Sequence, residues 1–335
     1  MNSFCHAVPL LDLTSVSEAR RVVQQVATPL GLSEVKLGEA AIIATEAARN
    51  AVVHGGGGEL LVTAIQTQNE LRLGILALDR GAGIADLPRA MQDGFSTSST
   101  PGTGLGAIRR LASGFDVFTS NSGTAILAEV IERTTPSPGH LDIAGFTVPF
   151  RGERACGDAI DWVQNDGRYV VLLVDGLGHG LPAADAAEEA VHVFQKHSTE
   201  PPREILAFIH DALKKTRGAA ACVAEIRPLA GTLTFAGVGN TSAVVLSAAL
   251  SRNLISHNGT LGHVLSRIQE FKVEWPTDAI LIMHSDGLQT RWDLSRYPGL
   301  AARSPGVIAG VLFRDFRRER DDASILVIKN KSAIV

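Results

Sequence analysis

The 335-residue chain reads as two α+β sandwich domains joined by a short linker. Three observations predict this. The length exceeds what one hydrophobic core usually serves, so two domains are expected. Strand-like and helix-like stretches are segregated along the chain rather than alternating, which favours sandwiches over a doubly wound parallel sheet. Thr134–Gly139, TTPSPG, is a Pro/Ser/Gly break between two halves that each carry strands and helices. The expected domains are therefore residues 1–133 and 140–330, with a linker at 134–139.

Composition narrows the function classes. Hydrophobic residues make up 45% and charged residues 20%, as in an ordinary soluble globular protein. A net charge of -4 gives no electrostatic basis for binding nucleic acid or an anionic membrane. No apolar run reaches the roughly 18 residues needed to span a bilayer. The opening MNSFCHAVPLLDL has no basic n-region or long apolar h-region, so a cytoplasmic location is expected. Cys5, Cys156 and Cys222 are scattered, which suits a reducing compartment and argues against a zinc site. Cys156 reads as a small buried residue rather than a nucleophile.

In the first half, Ser15–Leu30 has helical periodicity and stops at Gly31. Ser33 is positioned to cap a second helix, Glu34–Val53, which ends at His54 and the glycines Gly55–Gly58. Glu59–Thr67 and Leu71–Leu78 read as strands around Gln68-Asn69-Glu70. Gly94–Thr103, GFSTSSTPGT, is too rich in small polar residues to pack a core and reads as a lid. Gly104-Leu105-Gly106 opens a short helix, and Phe115–Ser120 and Thr124–Ile131 read as closing strands.

The second half begins with strand-like Leu141–Pro149 and then a hairpin. Asn165-Asp166-Gly167 is a strong turn signal between two apolar runs. A two-residue Asp166-Gly167 turn sets Asn165 opposite Arg168, and Asp158 then falls directly opposite Asp175. Such partners have Cα atoms about 4.5–5.5 Å apart. Two carboxylates that close repel unless a cation or proton joins them. Leu181–Gln195 and Arg203–Lys215 read as helices. Ala219–Ile226, Thr232–Val238, Ser242–Leu246, Ala279–His284 and Ser324–Ile328 read as strands. The strand Ala279–His284 runs into Ser285-Asp286-Gly287, and Asp321-Asp322 precedes the last strand.

Three motifs in the first half gain meaning from their order. Glu46 and Asn50 are four apart on one helix and share a face. Asp79 ends an apolar strand and is followed by Gly81 and Gly83, which permit close approach of a ligand. Gly102, Gly104 and Gly106 surround a helix start, whose free N–H groups favour phosphate. Together they resemble the ATP-binding motifs of the GHKL superfamily, the Bergerat-type α/β sandwich. The lid wording Asp93-Gly94-Phe95-Ser96-Thr97-Ser98 is similar to RsbT/RsbW-type serine kinases of bacterial partner switches. The resemblance spans about Val8–Arg133. It implies ATP and Mg²⁺ as cofactors, with Asn50 holding Mg²⁺, Asp79 accepting from the adenine amino group and Glu46 acting as base toward a protein hydroxyl. His54 reads as structural or lid-facing. A histidine kinase would need an upstream phosphoacceptor hairpin, for which the preceding residues leave little room.

In the second half, acids at four strand ends, without histidine or cysteine among them, suit Mg²⁺ or Mn²⁺ rather than zinc. Gly157-Asp158, Asp175-Gly176, Ser285-Asp286-Gly287 and Asp321-Asp322 resemble the PP2C (PPM) serine/threonine phosphatases, an αββα sandwich. The wording Asp175-Gly176-Leu177-Gly178-His179-Gly180 is similar to their SpoIIE/RsbX-like branch. The resemblance covers about His140–Asn330 and implies two Mn²⁺ or Mg²⁺ ions. Asp175 would bridge them, the Gly176 carbonyl would assist, and Asp158, Asp286 and Asp321 would complete the site. Asp322 reads as supporting these ligands, His179 as positioning the turn, and Arg151 and Arg154 as candidates to hold the substrate phosphate.

The combined expectation is a kinase–phosphatase fusion of a stress-response partner switch, acting on a STAS-domain phosphoprotein in a sigma-factor regulatory pathway. The alternative is a phosphatase whose GHKL half only binds, as an anti-sigma-like docking module.

Overall fold

A computed structural model of the chain describes residues 5–66, 70–92, 104–134, 139–265 and 267–331. The expected lid (Asp93 to Thr103, including Gly102), the turn residues Gln68-Asn69 and linker positions 135–138 lie outside the described residues. The chain divides into two compact units. One holds Cys5–Pro136 together with Asp293–Arg314; the other holds Ser137–Trp292 and Asp315–Val335.

The first unit contains β1 (Cys5–Leu10), α1 (Leu13–Leu30), α2 (Glu34–Val53), β2 (Gly58–Gln66), β3 (Glu70–Asp79), α3 (Leu87–Ala90), α4 (Gly104–Leu111), β4 (Gly114–Ser120) and β5 (Gly123–Thr134). The strands form one antiparallel sheet in the order β1-β2-β3-β5-β4. Asp12 caps α1 and Gly31 ends it in a left-handed conformation, φ 77°. Ser33 caps α2 as its position predicts. The strand β1 was not expected from its pattern, because Pro9 interrupts it. It occupies a sheet edge, where a missing N–H costs no ladder bond. Alanines dominate the buried face of α2 (Ala40, Ala44, Ala47, Ala48, Ala51) and let the helix approach Leu60, Val62, Leu73 and Ile75 closely. Each fully buried Leu or Ile there contributes about 1.5–3 kcal/mol.

The second unit contains β6 (Leu141–Val148), β7 (Asp158–Asn165), β8 (Arg168–Gly176), α5 (Leu181–His197), α6 (Pro202–Ala212), β9 (Ala219–Arg227), β10 (Thr232–Val238), β11 (Ser242–Leu246), β12 (Ser251–Leu254), β13 (Glu270–Glu274) and β14 (Ile280–His284). After the inserted helix α7 (Pro305–Phe316), it closes with β15 (Ala323–Asn330). Two five-stranded antiparallel sheets result, β13-β10-β9-β8-β7 and β12-β11-β14-β15-β6. The uninterrupted apolar run of β8 follows from its two buried faces. Tyr169, Val171 and Leu173 pack between the sheets with Phe235, Leu281 and Leu326. Val170, Leu172 and Val174 pack on the other side with Ala186, Ala190, Phe194 and Leu206 of α5 and α6. The β7–β8 turn has Asp166 at φ 47° and Gly167 at φ 75°, the left-handed pair of a type I′ hairpin. The register follows as expected, with Asn165 paired to Arg168 and Asp158 to Asp175.

Residues 293–314, expected within the second domain, group with the first unit, and Pro305–Phe316 form a helix that the sequence pattern does not predict. It lies on the sheet face away from α1 and α2. A Cβ on Gly310 would stand 2.7 Å from Leu76 and 3.0 Å from Leu78. The Ser304 N–H donates to Asp116 at 2.7 Å, the Arg314 guanidinium donates to the Asp79 carbonyl at 3.1 Å, and Arg80 donates to the Arg314 carbonyl. A sheet with both faces apolar requires such a cover.

Candidate functional site

In the first unit the candidate residues gather where α2 and β3 end and α4 begins. Glu46 and Asn50 share one face of α2, and Gly104 opens α4 against them. A Cβ at Gly104 would lie 3.2 Å from Asn50 Oδ1 and 3.3 Å from Glu46 Oε2. Only a glycine leaves room there for a ligand on the α4 N-terminus, whose first N–H groups lack intrahelical partners. Gly106 is buried within the first turns of α4.

Asp79 ends β3 and is buried. Its Oδ1 accepts from the Gly81 N–H at 2.9 Å and the Thr124 N–H at 3.1 Å. Burial pushes its carboxyl above the usual range, while those hydrogen bonds and the charges of Arg314 and His54 oppose the shift. The glycines beside it are steric necessities. A Cβ on Gly81 would stand 2.8 Å from the Gly55 Cα, and one on Gly83 would stand 2.2 Å from the Ser120 carbonyl oxygen. Gly55, just past α2, abuts Asp79 in turn. Glu46, Asn50, Asp79, Gly81, Gly83, Gly104 and Gly106 are thus held around the end of α2.

In the second unit, acids converge at one end of the two sheets. Asp158 and Asp175 face each other across β7 and β8. Asp286 follows β14 and Asp321 precedes β15, strands paired side by side. Burial, then the charges of Asp158, Asp286, Asp321 and Asp322, raise the Asp175 carboxyl well above its usual range. Burial likewise raises Asp158 and Asp321. No donor reaches the Asp175 carboxylate among the described residues, and the buried Oδ2 of Asp158 has no hydrogen-bond partner. Carboxylates that repel one another, one with an orphaned oxygen, form a hard-oxygen donor set that fits Mg²⁺ or Mn²⁺. Among the described residues no three such groups already stand in ligating geometry.

The neighbours of these acids divide into supports and rim groups. Asp322 is saturated: Phe150 N–H donates to its Oδ1 at 2.6 Å and Gly157 N–H to its Oδ2 at 2.8 Å. It fixes the backbone before Asp158, in keeping with a supporting role. Gly287 is required because a Cβ there would meet the Asp322 carbonyl oxygen at 1.9 Å. His179 Nδ1 lies 3.0 Å from Glu153 Oε1, with its ring 5.4 Å from that of Phe150, so the turn after Asp175 is tied to the loop holding Arg151 and Arg154. Both arginines are exposed. Cys156 is buried, and burial together with the charges of Asp158 and Asp322 pushes its thiol far above the ordinary range, which disqualifies it as a nucleophile.

Sequence reasoning missed Asn240, whose Nδ2 donates to Asp286 Oδ2 at 2.6 Å. A signal was present: Gly237-Val238-Gly239-Asn240 repeats the strand-exit pattern of the acids. It also missed Arg217, which stands against Gly178.

Comparison with known proteins finds a family for each half of the chain. The histidine kinase-like ATPase domain family matches residues 10–129, and the stage II sporulation protein E (SpoIIE) family matches residues 165–331. The chain is 34% identical over 125 residues to the serine/threonine-protein kinase RsbT of Bacillus subtilis (strain 168), covering 36% of this chain and 92% of that protein. The chain fuses an RsbT-family kinase-type ATPase domain to a SpoIIE-family PP2C phosphatase domain. It is also 24% identical over 152 residues to the phosphoserine phosphatase RsbX of the same organism, covering 44% of this chain and 75% of that protein. A solved chain described within the bacterial stressosome, a modular system adapted to control secondary messenger signalling, matches with TM-score 0.53 and 27% identity, over 56% of this chain and 99% of its own. RsbX in complex with magnesium shares the fold, with TM-score 0.51 and 20% identity over 58% of this chain and 98% of its own. Asp175, Asp286 and Asp321 fall within the SpoIIE match, whereas Asp158 precedes it. Among the described residues no helix is long and apolar enough to cross a membrane.

Proposed function

We propose that the chain is a bifunctional partner-switch regulator that both installs and removes phosphate on protein serine or threonine. The second unit is a metal-dependent phosphoserine/phosphothreonine phosphatase. The observation that carries this is the facing Asp158–Asp175 pair, with Asp158 buried and Asp175 partly buried, free of donors at Asp175 and surrounded by Asp286 and Asp321. Asp175, the Gly176 carbonyl, Asp158, Asp286 and Asp321 would hold two Mn²⁺ or Mg²⁺ ions. When bound, such ions supply Lewis acidity toward the phosphoryl oxygens and an activated water. Asn240 orients Asp286, and Asp322 fixes Gly157 and Phe150, so the ligand positions survive the changing charge.

The first unit is an ATP-dependent protein serine/threonine kinase. Asp79 offers Oδ2, which receives no donor among the described residues, to the adenine amino group, while Oδ1 stays engaged. Asn50 would hold Mg²⁺ against the phosphates, the α4 N-terminus would receive them, and Glu46 would take the proton from the attacking hydroxyl. Gly102, two residues ahead of α4 in the sequence, is assigned to phosphate by the motif alone. The kinship with RsbT and RsbX supports a cytoplasmic STAS-domain protein as the partner, within a pathway governing a sigma factor. The working domains are residues 1–133 and 140–330, with 293–314 built into the first unit.

The test uses the full chain with ATP, Mg²⁺ and a cognate STAS protein, followed by intact-mass spectrometry. Phosphorylated partner should accumulate with Asp175→Asn and disappear with Glu46→Ala. Labelling that persists in Glu46→Ala sinks the kinase assignment; turnover of the phosphopartner by Asp175→Asn sinks the phosphatase assignment.

A further inference from the structure

We infer that Arg217 is the residue that grips the substrate phosphate at the phosphatase centre, a role the sequence pattern had offered to Arg151 and Arg154. The inference rests on the phosphatase reading of the second unit and adds the group that recognises its substrate. Four observations place the arginine.

The first is register. The strand β9 pairs with β8 so that Ala220 faces Asp175 and Ala219 faces Gly176. Continuing that register past its last pair sets Arg217 opposite Gly178, inside the turn that follows Asp175. The second is proximity. A Cβ on Gly178 would stand 2.9 Å from Arg217 Nη1, so the guanidinium lies on the glycine itself. The Gly178 carbonyl oxygen is 3.4 Å from the Cβ position of Gly157, the residue before Asp158. The arginine head thus stands over the turn that follows Asp175, at the point where that turn packs on Gly157, the residue before Asp158.

The third observation is that the backbone around Arg217 is fixed on both sides. Leu177 N–H donates to the Gly218 carbonyl at 3.0 Å, and Gly218 N–H donates to Thr216 Oγ1 at 3.0 Å. The Arg217 carbonyl oxygen lies 3.0 Å from His263 Nε2. A Cβ on Gly218 would clash with the Leu261 carbonyl oxygen at 2.5 Å, so the loop approaches that segment as closely as backbone allows. The fourth is charge. Arg217 is exposed and makes no ion pair among the described residues, although five aspartates stand in the neighbouring cleft. An arginine held by its backbone, with its fork unspent, is suited to bidentate recognition of phosphate oxygens. Arg151 and Arg154, by contrast, are exposed in a loop tied to the site through Phe150 on Asp322 and Glu153 on His179.

Arg217 is therefore a binding residue. It draws the phosphomonoester to the cleft and orients its non-bridging oxygens, leaving the water attack to the aspartate site. No bond to Arg217 forms or breaks. Its loss raises KM more than it lowers kcat.

The experiment uses the full-length protein with Mn²⁺. Hydrolysis of 4-nitrophenyl phosphate is measured alongside calorimetric binding of inorganic phosphate. Arg217→Ala is expected to raise KM and the inorganic phosphate dissociation constant by about 10-fold or more, the scale of one charged hydrogen-bonded contact, with kcat within about 3-fold. Arg217→Lys should recover part of the phosphate affinity and Arg217→Met none, since Met keeps the stem without the charge. Unchanged KM and phosphate affinity in Arg217→Ala, or equal recovery by Lys and Met, overturns the arginine's role. Turnover that survives Asp175→Asn overturns the phosphatase reading beneath it, a separate result.

Discussion

Two aspartates end two apolar strands, and their surroundings assign them opposite work. Asp79 stands alone among donors: two backbone N–H groups meet one oxygen, and Arg314 and His54 lie near enough to favour its charge. Asp175 stands among its own kind, with no donor and with Asp158, Asp286, Asp321 and Asp322 all opposing its ionisation. A carboxylate with one satisfied and one open oxygen accepts a neutral hydrogen bond, as from a purine amino group. A carboxylate crowded by others calls for cations. Strand-exit position alone therefore does not specify chemistry; the sign of the neighbouring charge does.

The sharpest way to break this comparison is to neutralise each acid while keeping its shape. Asp175→Asn should lower 4-nitrophenyl phosphate turnover by at least ~10²-fold, the scale of losing a preorganised electrostatic group, with ATP binding unchanged. Asp79→Asn retains an oxygen for Gly81 and Thr124 but puts a donor where the open oxygen stood. ATP affinity by calorimetry should fall about 10- to 100-fold, the range for a charged hydrogen bond, while Mn²⁺-dependent turnover stays intact. If either variant harms both activities equally, the two acids are not doing separate work.

Smaller effects sharpen the picture. Asn240→Ala removes the donor 2.6 Å from Asp286 and should weaken Mn²⁺ activation about 10-fold, as loss of a ligand's supporting contact commonly does. The readout is the Mn²⁺ concentration at half-maximal rate, which should shift while saturating kcat changes little. Gly310→Leu forces a side chain onto Leu76 and Leu78 and should destabilise the first unit by about 1–3 kcal/mol, the usual cost of overpacking. A lowered first transition in calorimetry checks it. The same contact implies that a fragment ending at residue 134 leaves Leu76 and Leu78 uncovered, so ATP-site measurements belong on the full chain.

Much of the candidate site was legible because it is local. The hairpin register came from one dipeptide, Asp166-Gly167, whose backbone demands leave few other turns. The helix carrying Glu46 and Asn50 came from a cap and a glycine stop. Arg217 and Arg314 were not legible, since each acts on a partner fixed by strand pairing or packing between distant segments; Asn240 carried a strand-exit pattern, but its partner Asp286 is set only by the fold. Arg217 meets Gly178 only through the β8–β9 register, which no short turn encodes: 42 residues separate β8 from β9, counted from Gly176 to Ala219. β1 was hidden by Pro9, and α7 by a Pro/Gly start and a nearly all-apolar run whose period carries no face.

The sequence by itself determined the two domain types, the order of their motifs and the facing of Asp158 with Asp175. These depend on local backbone preference and on motifs a few residues long. Only the tertiary structure decided which acids gather, which is held by Asn240, which is engaged by backbone N–H groups at both oxygens, and that 293–314 covers a face of the first unit's sheet. Those outcomes depend on burial and on charges brought together from far along the chain, and a carboxylate's role follows from its neighbours in space.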